Sequence, residues 1–292
     1  MLYNSQNSKF QKKYLWLRIS SVGKEHHKRI NPLAGVVGLV CLFLLIFSSC
    51  FTTENRGNYP VGTAFNVLYS FPHDLTAFTQ GFVYRDGFLY ESTGLYGRSS
   101  LRKINPVTGA VLVRVNLPAR FFGEGLTIIG DSIYQLTWRS RQGFIYDKES
   151  LQQKGSFTYL TEGWGLTDDG TSLIMSDGTE KLYFLSPRTF EITRVLSVKE
   201  NGSAIDMLNE LEYVEGKIYC NIWNSDDIVV VDSYSGMVER RINLGELRER
   251  LSFADAAGAL NGIAWKPFSR TFLITGKNWS EVFEIKLSPA SP

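Results

Sequence analysis

The chain has 292 residues and a mass of 33.0 kDa, enough for one large domain or two ordinary ones. With 43% hydrophobic and 21% charged residues it can bury a sizeable core, which excludes intrinsic disorder as a description of the whole. The formal net charge is +2, but residues 1–32 hold seven basic side chains against one acid (Glu25), so residues 33–292 carry −4 and lack the clustered positive charge of a nucleic-acid surface.

The first element in chain order is that basic segment, residues 1–32. The uncharged run Leu33–Phe47, LAGVVGLVCLFLLIF, follows it. Its 15 residues suit a signal-peptide core or a short membrane anchor, placed at 33–50. A buried core helix is the bland alternative, but it has no use for a basic flank. The flank puts everything after Cys50 on the far side of the membrane, the periplasmic side in a bacterium. Ser48-Ser49-Cys50 resembles a lipoprotein cleavage box with a cysteine to be lipidated. Phe47 is a poor start for that box and the basic lead is long, so an uncleaved anchor stays open. Residues 51–63 read as a polar tether, and 64–292 as the globular domain.

From residue 64 onward short β-like runs alternate with turn signals and helical periodicity is nearly absent. A repeat organises them. Its openings are Gln80-Gly81-Phe82, Glu124-Gly125-Leu126, Trp164-Gly165-Leu166, Asn209-Glu210-Leu211 and Asn261-Gly262-Ile263, spaced by 44, 40, 45 and 52 residues. A tight turn follows each opening, then a second strand (FLYEST, SIYQLTW, SLIMSDG, KIYCNIW, TFLITGK) and a third (SLRKINP, GFIYDKES, KLYFLSP, DIVVVDS, EVFEIKL). A fourth strand completes only four units. The strand missing from the fifth is available ahead of the first, as AFNVLYSF at 64–71. This is the closure of a five-bladed β-propeller with four-stranded blades. The longest interval carries the only helix-like insert, Gly245–Ala257.

First strands of propeller blades run nearest the axis, so equivalent residues should form rings. One ring holds Gln80, Glu124, Trp164, Asn209 and Asn261. Fourteen residues on stand Gly94, Trp138, Gly178 and Trp223, with Lys277 sixteen on in the fifth unit, and Phe78 and Phe122 lie two residues before their openings. Any one of these residues could be ordinary packing. Together they describe an aromatic-walled pocket with a few convergent polar groups, the usual form of a small-molecule site, with a carboxylate and an amine whose pKa values burial would shift. His73 is the only histidine beyond residue 63, so His-based triads and His-rich zinc sites lack material, and it reads as a turn residue, with the pocket rim as the alternative. Trp265 and Trp279 read as packing. Cys220 is the only cysteine in the globular part and reads as a lone buried thiol.

At these residues the chain resembles the plant-type glutaminyl cyclases (glutaminyl-peptide cyclotransferases), which also occur in bacteria. The stretches that carry the resemblance are FPHDLTAFTQG, YESTGLYGRSSLRK, FGEGLT, GWGLTDDG, LNELEYVEGKIYCNIW and LNGIAW…ITGKNW, in order across residues 67–286. The resemblance implies a five-bladed propeller that converts the N-terminal glutamine of a peptide to pyroglutamate and releases ammonia. It implies substrate-binding roles for Phe78, Gln80, Phe122, Trp138, Trp164 and Trp223, and roles in the chemistry for Glu124, Asn209 and Lys277. A structural metal ion on the propeller axis is also implied, without assignable ligands. In such a cyclisation the substrate supplies both reactants, so no cofactor is expected for catalysis. The expected partners are peptides or proteins with N-terminal glutamine and, through the N-terminal segment, a membrane; a monomer is expected. A propeller that only binds peptides or sugars is the competing class, and it has less use for Glu124 opposite Lys277.

Overall fold

A computed structural model describes residues 64–289. The basic segment, the apolar run and the tether lie outside the described residues. Blade 1 comprises β2 (Thr79–Arg85), β3 (Phe88–Thr93), β4 (Ser100–Ile104) and β5 (Val111–Asn116); β1 (Phe65–Pro72) precedes it. Blade 2 comprises β6 (Gly123–Ile129), β7 (Ser132–Thr137), β8 (Gln142–Asp147) and β9 (Gln153–Thr158). Blade 3 comprises β10 (Leu166–Asp168), β11 (Leu173–Ser176), β12 (Lys181–Leu185) and β13 (Ile192–Ser197). A ribbon of β14 (Lys199–Glu200) and β15 (Ser203–Ala204) leads to blade 4: β16 (Leu208–Val214), β17 (Lys217–Ile222), β18 (Asp227–Asp232) and β19 (Val238–Asn243). The helix α1 (Gly245–Glu249) precedes β20 (Leu260–Lys266), β21 (Thr271–Gly276) and β22 (Glu281–Leu287).

The fifth sheet has the order β1-β22-β21-β20, so the N-terminal strand completes the last blade. Its antiparallel register runs from Phe65 opposite Leu287 to Pro72 opposite Glu281. Arg240 of β19 holds the Phe65–Leu287 end of this closure, donating to Ser288 O at 2.7 Å and Ala64 O at 3.1 Å. Past β1, His73 is buried, and its Nε2 lies 2.9 Å from Glu91 Oε1. Arg102 ties Glu91 to Asp74, with Nη1 at 3.4 Å and 2.9 Å respectively. His73 is therefore part of a buried polar seam between blades 5 and 1, rather than a simple turn residue.

The core is divided among the seams. Each of the five apolar clusters draws chiefly on two adjacent blades: Leu101 meets Leu126 and Phe144, Leu136 meets Leu166, and Leu182 meets Leu211 and Cys220. Between blades 4 and 5, Ile228 and Val230 cluster with Phe272 and Ile285, and Phe82 meets Leu273 at the closure. Middle strands are buried on both faces, as in SLRKI and DIVVVD, the second of which also reads as a near-continuous apolar run. The outermost strands β9, β13 and β19 carry exposed polar or charged side chains, which blunt their free edges. Trp279 is fully buried with its indole N–H on Gly258 O at 3.0 Å, and Trp265 packs on Phe272, as packing residues should.

Candidate active site

The repeat registers at one end of the axis. In four blades the residue just past the second strand donates its N–H to the carbonyl two residues before the opening: Gly94 to Phe78 (2.8 Å), Trp138 to Phe122 (3.0 Å), Trp223 to Met207 (2.8 Å) and Lys277 to Ala259 (2.9 Å). Lys277 stands sixteen residues after Asn261 because the turn between β20 and β21 has four residues where that between β2 and β3 has two. Its backbone bond shows it to be the equivalent residue. Trp164 lies ahead of its strand, since β10 begins only at Leu166.

These positions enclose a cavity of about 420 Å³. Nine of the residues singled out from the sequence line it: Phe78, Gln80 and Phe122, then Glu124, Trp138 and Trp164, then Asn209, Trp223 and Lys277. The rings meet edge to face, Phe78 with Phe122 at 6.1 Å, Phe122 with Trp138 at 5.6 Å and Trp164 with Trp223 at 6.0 Å between centroids. Two glycines make room for them. A Cβ at Gly94 would lie 2.3 Å from the Phe122 ring, and one at Gly178 2.7 Å from the Trp164 ring. Trp223 remains 44% exposed and forms part of the mouth.

The charged pair lies below the aromatic wall. Glu124 is 4% exposed and Lys277 5%. Burial pushes the Glu124 carboxyl well above the ordinary range; the Lys277 charge and a hydrogen bond from Gln80 oppose this, and the Glu162 charge adds to it. Burial pushes the Lys277 ammonium down, against the Glu124 charge. The two groups are drawn toward each other in pKa. Lys277 Nζ also sits 4.9 Å from the centre of the Phe78 ring, a cation–π contact. Asn261, the fifth member of the first ring, does not line the cavity. Its amide donates to Thr79 O at 2.9 Å and Gln80 Oε1 at 3.3 Å, so it orients Gln80 from behind.

Three residues of this end of the molecule lie outside the set that the sequence singles out. Leu95 and Met207 line the cavity, and Glu162 stands behind its wall. The signal for two of them is present in the chain. Met207 and Glu162 lie two residues before their openings, the same offset that picks out Phe78 and Phe122. Leu95 and Met207 hold left-handed backbone at φ 82° and 60°, which no residue pattern announces.

The next residue of each opening lies where the inner strands of neighbouring blades meet. Four are glycine, and a Cβ would lie 2.5 Å from Leu126 N at Gly81, 2.4 Å from Leu166 N at Gly125 and 1.9 Å from Asn209 O at Gly165. The inner strands therefore approach too closely for side chains. The fifth place is Glu210, fully buried, which accepts the backbone N–H of Phe82 at 3.2 Å and of Ile263 at 2.8 Å from two other blades. Burial and the neighbouring Glu212 push its carboxyl well above the ordinary range. Among the described residues no three His, Cys, Asp or Glu side chains come together as a metal cage.

The chain is similar to known proteins. The family model for glutamine cyclotransferase matches residues 40–287. A glutaminyl-peptide cyclotransferase of Arabidopsis thaliana is 37% identical over 277 residues, which cover 92% of this chain and 86% of that protein. The crystal structure of Myxococcus xanthus glutaminyl cyclase superposes with a TM-score of 0.72 at 33% identity, covering 77% of this chain and 96% of that one.

Proposed function

Because the chain belongs to the glutamine cyclotransferase family, we propose that its aromatic pocket folds the N-terminal glutamine of a peptide so that the α-amine attacks its own side-chain amide, with Glu124 moving the proton between the two nitrogens. The activity is glutaminyl-peptide cyclotransfer: pyroglutamate forms and ammonia leaves. The observation that carries the assignment of roles is the buried carboxylate–ammonium pair, Glu124 and Lys277, lining an aromatic pocket.

The physical problem is conformational first. An extended glutamine keeps its amine away from Cδ, and walls of Phe122, Trp138, Trp164 and Trp223 favour the compact conformer in which the atoms meet. The amine must then be neutral. Ionised Glu124 takes its proton as the C–N bond forms, and the carbonyl π electrons pass to oxygen. Lys277 and the Asn209 amide stabilise that oxyanion, each donor contributing about 3 kcal/mol on the precedent of oxyanion holes. Glu124 returns the proton to the leaving NH₂, the C–N bond to it breaks, and the carbonyl re-forms with ammonia released. The shifted pKa values suit the exchange, since a carboxyl held high and an ammonium held low both titrate nearer neutrality. Asn261 holds Gln80, and Gln80 holds Glu124, so the base is oriented by a chain of amides.

Mass spectrometry tests the activity: a Gln-initiated peptide should lose about 17 Da, one ammonia, on incubation. An unchanged mass with folded protein would contradict it. The basic lead and the apolar run Leu33–Phe47 support an extracytoplasmic enzyme held at the membrane, by an anchor or as a lipoprotein at Cys50. Recovery of full-length protein in the cytosol on fractionation would overturn that location.

A further inference from the structure

Glu162 lies in the connection between β9 and β10, two residues before the third opening. Its Oε2 accepts the indole N–H of Trp138 at 2.6 Å and that of Trp164 at 3.2 Å, so one atom ties a wall residue of blade 2 to one of blade 3. Its Oε1 accepts Arg139 Nε at 3.2 Å, and the Arg139 guanidinium lies 4.0 Å from the centre of the Trp138 ring. We propose that Glu162 is a positioning residue of the cyclisation: it clamps the Trp138 and Trp164 indoles at the angle that confines the glutamine side chain, and it sets a negative charge behind the wall. The second half rests on the proton-shuttle reading of Glu124 given above.

The ion pair with Arg139 does not by itself account for such a residue. Both side chains are partly exposed, and pairs of that kind contribute about 0–1 kcal/mol. The two indole hydrogen bonds are different. Each is charge-assisted, and each fixes a large flat side chain that would otherwise have freedom about two torsions. Burial pushes the Glu162 carboxyl up, but the Trp164 and Trp138 N–H groups and Arg139 outweigh it and hold it below the ordinary range. It is therefore an anion wherever the pocket works.

The groups that bear on Glu124 come from several elements. Lys277 favours its charged form and Gln80 donates to it, while Glu162 opposes the charge. The Tyr159 phenol, pushed up mainly by burial, feels the Glu124 charge and is bonded to Thr137. Arg139 offsets part of the Glu162 field. Removing the Glu162 charge while keeping an acceptor should lower the pH at which Glu124 ionises. Removing the side chain should free the indoles as well.

Two variants separate these effects, each measured against the wild-type chain. Glu162→Ala should raise KM for a Gln-initiated peptide about 10-fold, and raise by a similar factor the Kd read from quenching of tryptophan fluorescence. Glu162→Gln should leave KM within about twofold, yet move the acidic limb of kcat to lower pH. A residue that only supported the fold would lower the melting temperature and move neither the KM ratio nor the limb. Unchanged KM and Kd in Glu162→Ala, or an unmoved limb in Glu162→Gln, would overturn the proposal. If Glu162→Ala did not fold, the limb of Glu162→Gln would decide. Wild-type protein that bound the peptide without cyclising it would refute the assigned chemistry instead, and the Kd ratio would still decide the clamp.

Discussion

At the scale of single residues, the site separates groups that shape the substrate from groups that handle charge. Trp138 is wall, so Trp138→Ala should raise KM more than it lowers kcat on a Gln-initiated peptide; the reverse split would assign it to the chemistry. Lys277 faces the developing oxyanion, so Lys277→Ala should lower kcat by about 10²–10³-fold. Glu212 offers a pH test of the fold. Burial chiefly, with the Asp168 charge, pushes its carboxyl up to about 8 from an ordinary 4.5. Between those two values the native chain holds a proton that the unfolded chain has lost. Stability must then fall as pH rises through that window. Glu212→Gln should flatten the dependence of melting temperature on pH between about 5 and 8. A slope identical to wild type would show that the Glu212 carboxyl is ionised in the native state.

At the scale of elements, the closure strand is the most exposed to test. Deleting residues 64–71 removes Phe65 and Phe71 from two seams and bares the edge of β22. Burial of a large apolar side chain stabilises by about 1.5–3 kcal/mol, so the loss should abolish cooperative melting, whereas deleting residues 1–60 should not. Equal melting of the two truncations would contradict the closure. The strands are legible in the sequence because tight turns such as Asp86-Gly87 and Glu215-Gly216 punctuate apolar runs, with left-handed backbone at all four of these residues. Closure is legible as a strand lacking at one end and surplus at the other. The ribbon of β14 and β15 escapes such a reading, although Asn201-Gly202 at its tip is a strong hairpin signal; strands of two residues have no periodicity to read. His73 reads wrongly as a turn residue because its partners, Glu91 and the Trp279 carbonyl, are distant in sequence and adjacent only across the closing seam.

At the scale of the whole molecule, the repeat explains why so much of the site can be found without a structure. Each blade contributes at the same offsets, so a substrate pocket is written as a column of aligned residues rather than as a local motif. Where a blade departs from the repeat, function or closure accounts for it: Lys277 is displaced by a longer turn yet keeps its backbone bond, and Glu210 replaces the glycine that the other openings share. The Glu162 clamp is not legible because its meaning depends on two indoles converging on one oxygen, which spacing alone does not reveal.

The central claim is that Glu124 carries the proton from the attacking amine to the departing ammonia. The most direct test is kcat of Glu124→Gln on a Gln-initiated peptide, read as pyroglutamyl product, with melting curves recorded on the same samples. Glutamine keeps the shape and the hydrogen-bond acceptor but cannot shuttle a proton. The account predicts a fall in kcat of about 10²–10⁴-fold, with KM little changed and a melting temperature equal to or above that of wild type. Near-normal turnover by folded Glu124→Gln would contradict it.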